Sequence, residues 1–122
     1  MTLPPFAYHE PVTVAEASQM LQAFGDTAAL LAGGTDLLVK MKNRLLRPQS
    51  LVSLVKLEEM QEIKRSSHQT SIGACCSVAR IAASQDIRSV FPALAQAAGQ
   101  IGSPPVRNLA TLGGNIVTAS PA

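Results

Sequence analysis

The chain reads as an α+β protein: a small βαβ parallel-sheet subdomain followed by a partial antiparallel-sheet subdomain with helices. Three observations carry this reading. Short apolar runs alternate with helical periodicity as far as Val55, a polar turn at Ser66-Ser67 separates two further runs, and double glycines stand at Gly33-Gly34 and Gly113-Gly114. Alternating elements predict parallel strands joined through helices, whereas a short polar connection predicts antiparallel pairing.

An early strand is expected near Phe6 to His9. Thr13-Val14-Ala15-Glu16 then matches a capping box, in which the threonine hydroxyl and the glutamate carboxylate take backbone donors at a helix start. Val14, Ala17, Met20, Leu21 and Phe24 recur at helical spacing, and Gly25 is placed to stop that helix. The run Ala28 to Ala32 predicts a buried strand, Leu37 to Lys42 a short helix, and Ser50 to Val55 another strand. This first subdomain spans 1–56.

The second, spanning 57–122, changes character. Glu62 to His68 and Gln69 to Cys75 read as a strand pair around the serine turn. Ser77 is a cap for a helix over Val78 to Ala83, and Pro92 suits the first turn of a helix running to Ala98, with Gly99 ending it. Gln100 to Ala122 is poor in helix formers and rich in turn chemistry. Asn115-Ile116-Val117-Thr118 reads as the start of a strand with little after it to pair with, so the chain is expected to be part of a larger protein.

The glycine segments are where chemistry is expected. In Ala32-Gly33-Gly34-Thr35-Asp36 the glycines allow positive φ and close approach of backbone N–H groups to a phosphate, Thr35 adds a hydroxyl, and Asp36 caps the helix beginning at Leu37. A tight strand-to-helix turn accounts for the same residues without a ligand. The segment has neither the third glycine of the dinucleotide fingerprint nor the Gly-Lys-Ser/Thr of a P-loop. The second segment, Asn108 to Asn115, repeats this donor-rich chemistry with Thr111, Gly113, Gly114 and Asn115, and Arg107 beside it is either a ligand cation or a structural residue, in an ion pair or a carbonyl clamp.

Composition excludes other classes. With 122 residues and 47% hydrophobic content, the chain suits one small domain with a real core, and its 15% charged residues leave surface for a partner or for self-association. The net charge is +2, but the basic residues are dispersed; Lys40, Lys42, Arg44 and Arg47 form the single local concentration and read as a solvated helix end. Aromatic content of 3% and the lack of a basic stripe argue against nucleic acid. The two cysteines, Cys75 and Cys76, are adjacent and suit neither a disulfide framework nor a metal or cluster site, so they read as strand-end packing residues. The N-terminus lacks the pattern of a secretory signal and no run approaches a membrane span, so the expected location is the cytoplasm and no membrane partner is expected. No Ser-His-Asp spacing or paired carboxylate stands out; if the chain is an enzyme, a cofactor must carry the chemistry.

The order of Ala32-Gly33-Gly34-Thr35-Asp36-Leu37, Ile72-Gly73-Ala74, Arg107-Asn108, Thr111-Leu112-Gly113-Gly114-Asn115 and Ser120-Pro121-Ala122 resembles the FAD-binding subunit or domain of molybdenum hydroxylases, the group of xanthine dehydrogenase and carbon monoxide dehydrogenase medium subunits. The resemblance implies two α+β subdomains clasping FAD. It implies that Ala32, Gly33, Gly34, Thr35 and Asp36, with Leu37 adjoining, hold the diphosphate. Ala110, Thr111, Gly113, Gly114 and Asn115 then contact diphosphate and ribityl groups, and Ser120 lies near the cofactor. Electrons would reach FAD from a molybdenum-cofactor subunit through a [2Fe-2S] subunit, both separate from this chain. The family continues past the Ser-Pro-Ala segment, which leaves two alternatives open: a non-catalytic assembly module and a stand-alone flavin reductase.

Overall fold

A computed structural model describes residues 2–120, so the Pro121 and Ala122 of the last motif lie outside the described residues. The chain divides into two compact units, Met1–Glu58 and Glu59–Ala122.

In the first unit, β1 (Ala7–His9), α1 (Val14–Phe24), β2 (Ala28–Leu31), α2 (Leu37–Lys42) and β3 (Ser50–Ser53) follow in order. The strands form a parallel sheet in the order β1-β3-β2, with Ala7 and Ala28 both opposite Ser50. The central strand is buried along its whole length, Leu51 and Val52 completely, as expected where a parallel sheet is covered on both faces. Met41 of α2 and Ala17 of α1 are buried with it.

The ends of α1 follow its sequence closely. Thr13 Oγ1 accepts from the Glu16 amide at 3.1 Å, while Glu16 Oε2 accepts from the Val12 amide at 2.8 Å, so the return arm of the capping box lands one residue before the cap. Gly25 closes the helix by donating to the Leu21 carbonyl. At the edge of the sheet, Glu10 pairs with Lys56 at 2.7 Å and accepts from the Tyr8 hydroxyl at 2.8 Å. These bonds hold the Glu10 carboxyl below the ordinary glutamate range and lift the Lys56 ammonium above the ordinary lysine range.

The second unit contains β4 (Ile63–Arg65), β5 (Thr70–Ile72), α3 (Val78–Ala83), α4 (Gln85–Val90), α5 (Pro92–Gln100), α6 (Pro104–Leu109) and α7 (Leu112–Thr118). β4 and β5 pair antiparallel, with Ile63 opposite Ile72. Their ladder is shorter than the sequence suggests, because the Ser66 amide and hydroxyl both donate to the Gln69 carbonyl and close the turn early. Val78, Ile81, Ile87, Ala95, Ala98 and Cys76 form the core, with small residues where helices approach.

Three expectations need correction here. The helix from Pro92 continues through Gly99 to Gln100, and the reversal comes at Gly102, where φ is 51°. Gln100 to Ser120 is not mainly turn: Pro104 and Pro105 open α6, their missing N–H groups costing nothing in a first helical turn. Asn115 to Thr118 is helical, not a strand. Thr111 caps α7, and Ile116 and Val117 stand 68% and 85% exposed, so no sheet face among the described residues favours their β-branched side chains. The helix α4, which no sequence signal had marked, starts because Ser84 Oγ accepts from the Ile87 amide at 3.3 Å.

Candidate functional site

The first glycine segment is a turn between β2 and α2, as its sequence predicts. Leu31 ends the strand by accepting from Leu54 at 2.9 Å, and Gly34 starts the helix by accepting from Leu38 at 3.1 Å. Gly34 has φ of 77°, a conformation that favours glycine, and a Cβ there would stand 3.0 Å from the Leu38 side chain and 3.1 Å from that of Leu31, so both leucines would have to give way slightly. Asp36 occupies the N-cap position, yet its side chain makes no capping hydrogen bond. Ala32, Gly33, Gly34, Thr35 and Leu37 are half-buried and Asp36 is exposed.

Between these fixed ends the backbone is unspent. The amides of Gly33, Gly34 and Thr35 donate to no other described residue, and the Thr35 hydroxyl is likewise without a partner among them. N–H groups left this way in half-buried residues can take an anion, and consecutive ones around a positive-φ glycine suit phosphate oxygens. The FAD diphosphate fits that donor set. Lys40, Lys42, Arg44 and Arg47 are all exposed, consistent with a solvated helix end.

The second segment is built differently. Ala110 and Thr111 are buried, Gly113 and Gly114 half-buried, and Asn115 exposed. Thr111 forms an antiparallel bridge with Ser77, flanked by bonds from the Val78 amide to the Ala110 carbonyl at 2.8 Å and from the Leu112 amide to the Cys76 carbonyl at 3.1 Å. The Gly113 amide donates to the Ala74 carbonyl at 2.7 Å, the Gly114 amide to Thr111 Oγ1 at 3.1 Å, and the Asn115 amide to the Thr111 carbonyl at 3.1 Å. The sequence suggested backbone approach to a phosphate here, whereas these amides already have partners. A Cβ on Gly113 would stand 2.9 Å from both the methyl and the carbonyl oxygen of Ala74, so close packing accounts for this glycine.

The remaining expected residues are resolved as follows. Arg107 donates through Nη1 to the carbonyls of Ile101 and Gly102, each at 3.0 Å, which is the clamp reading. Ser120 is exposed and follows Ala119, a left-handed residue with φ of 47°. Cys76 is buried and Cys75 half-buried; neither is in a disulfide, and burial pushes both thiols above the ordinary cysteine range. Among the described residues, no three His, Cys, Asp or Glu side chains are grouped to hold a metal, and no helix is long and apolar enough to cross a membrane. The residues missed from sequence are Ala74 and Cys76, whose carbonyls receive α7; the small-residue run Gly73-Ala74 was the available signal.

Residues 4–122 match the family described as the FAD binding domain in molybdopterin dehydrogenase. The chain belongs to that family. This FAD-binding domain is 38% identical over 118 residues to the nicotinate dehydrogenase FAD-subunit of Eubacterium barkeri, an alignment covering 96% of this chain and 40% of the relative. It is 37% identical to the carbon monoxide dehydrogenase medium chain of Hydrogenophaga pseudoflava, covering 99% of this chain and 42% of that one. Its fold matches a solved carbon monoxide dehydrogenase of Hydrogenophaga pseudoflava with a TM-score of 0.93 at 38% identity, covering 95% of this chain and 40% of that one. Quinoline 2-oxidoreductase from Pseudomonas putida 86 gives a TM-score of 0.90 at 32% identity over 95% of this chain and 40% of its counterpart. The chain thus spans about 40% of the length of these relatives.

Proposed function

We propose that this chain holds FAD for a molybdenum hydroxylase-type oxidoreductase and that the flavin passes electrons from iron-sulfur clusters to an acceptor. The observation that carries the reading is the run of unpartnered amides at Gly33, Gly34 and Thr35 in a chain of an FAD-binding family. Those amides and the Thr35 hydroxyl hold the diphosphate, with Ala32, Asp36 and Leu37 shaping the turn. Ala110, Thr111, Gly113, Gly114, Asn115 and Ser120 complete the contacts. When bound, FAD supplies the redox chemistry; the residues of the chain bind and orient it.

The partners in this reading are a molybdenum-cofactor subunit and a [2Fe-2S] subunit, which carry those groups in the chain's place, and the location is the cytoplasm. The similarity to a nicotinate dehydrogenase FAD-subunit and a carbon monoxide dehydrogenase medium chain supports such a division of labour. In this reading the subdomains run over 1–56 and 57–122, a boundary two residues before the division between the two compact units. Titration of FAD into the purified chain, followed by flavin fluorescence, is expected to saturate. No saturable change, either alone or with the partner subunits present, would overturn the proposal.

A further inference from the structure

The first turn of α7 takes its backbone partners from inside its own unit. Leu112 donates to Cys76, Gly113 to Ala74, and Gly114 and Asn115 to Thr111. The segment receiving this helix is itself fixed from the other side. The Cys75 amide donates to the Met60 carbonyl at 2.8 Å, and a Cβ on Gly73 would collide with that same carbonyl. Ala74 is therefore held between a backbone bond at Cys75 and the glycine of α7, while its own residue surface is exposed.

We infer that Ala74 is a positioning residue of the flavin site: its carbonyl and methyl set where α7 begins, so the second glycine motif contributes shape and a side-chain amide rather than a backbone cradle. Asn115 is the group so positioned. Its Nδ2 donates to the Thr111 carbonyl at 3.0 Å, which fixes the orientation of the amide and leaves Oδ1 of this exposed residue as an acceptor with no bond to another described residue. An acceptor suits a hydroxyl of the ribityl chain and repels a phosphate oxygen, so the chemistry of this position differs from that of the Gly33 turn. This inference rests on the reading that the chain binds FAD.

Amide hydrogen exchange on the chain without flavin tests the platform directly. Leu112, Gly113 and Gly114 are expected to exchange at least about tenfold more slowly than Gly33, Gly34 and Thr35 before any FAD is added. Fast exchange at Gly113 and Gly114 that slows only on adding FAD would overturn the inference. Positioning is then read from FAD titrations of Gly113→Ala and of the double variant Gly113→Ala with Ala74→Gly. The single variant is expected to weaken FAD by about tenfold or more, and the double to recover part of that loss, because one of two close contacts is relieved. A double variant no better than the single one would overturn the role of the Ala74 methyl. If Gly113→Ala does not fold, exchange in the unaltered chain still decides the platform. Slow exchange at Gly113 in a chain that never binds FAD would sink the functional proposal alone.

Discussion

The two glycine turns look interchangeable on paper and are opposites in structure. At Gly33-Gly34 the chain ends a strand and begins a helix without spending the amides of Gly33, Gly34 and Thr35 on other described residues. At Gly113-Gly114 the corresponding amides are bonded to Ala74 and Thr111. One glycine pair leaves donors over, and the other removes side chains so that two backbones can meet. A glycine pair is therefore a statement about space, and its neighbours decide whether that space serves a ligand or the protein.

The largest effect should come from the support of the closed turn. Gly73→Ala pushes a methyl into the Met60 carbonyl, and since that neighbour is backbone, urea unfolding should show a loss of about 3 kcal/mol or more. Gly113→Ala should cost about 1–3 kcal/mol by the same measurement, through crowding against Ala74. Gly34→Ala should cost about 1–2 kcal/mol because its φ is 77°. Its larger consequence should be on FAD affinity, since the turn bearing the unpartnered amides must shift. Equal affinity losses with unequal stability losses would sharpen the contrast; a Gly34→Ala chain that binds FAD normally would break it.

The caps give a finer comparison. Thr111→Ala removes the acceptor for the Gly114 amide and should cost about 1 kcal/mol in thermal or urea unfolding. Asp36→Ala removes no capping bond and should cost less than Thr111→Ala. The reverse order would mean that the open turn depends on its aspartate more than its geometry shows.

The smallest effect concerns the exposed Glu10–Lys56 pair. Because the Glu10 carboxyl is held low, its contribution is present above the ordinary glutamate range and fades as pH falls through the lowered value. Because Lys56 is held high, its share is present below the ordinary lysine range and fades as pH rises through the raised value. Glu10→Gln should therefore flatten the acid limb of a stability-against-pH curve slightly and leave FAD affinity unchanged.

Much of the first unit was legible because local signals and packing agree there. Thr13 and Glu16 announced α1, Gly25 ended it, and the apolar runs became β2 and β3, although only the central β3 is buried and Leu30 of the edge strand β2 stands half exposed. The end of the second unit was misread because Ile116 and Val117 favour strands only when a sheet face receives them, and none among the described residues does. Local capping by Thr111 decided the matter. The glycine motifs were legible as places and illegible as mechanisms, since nothing within Gly113-Gly114 reveals that Ala74 and Thr111 are waiting for its amides. The clamp made by Arg107 was one of several readings, beside a ligand cation and an ion pair, and only the positions of Ile101 and Gly102 could choose among them.

The sheet order β1-β3-β2 carries a consequence for how the molecule is made. The first two strands to leave the ribosome have no bonds to offer each other; each pairs only with β3, through Ser50 and its neighbours. The N-terminal sheet must stay unassembled until that last strand emerges, and its closure then joins both edges in one event. A ribosome paused before Ser50 would expose two unpaired strands, the apolar β2 among them, and one paused well after Ser53 would not.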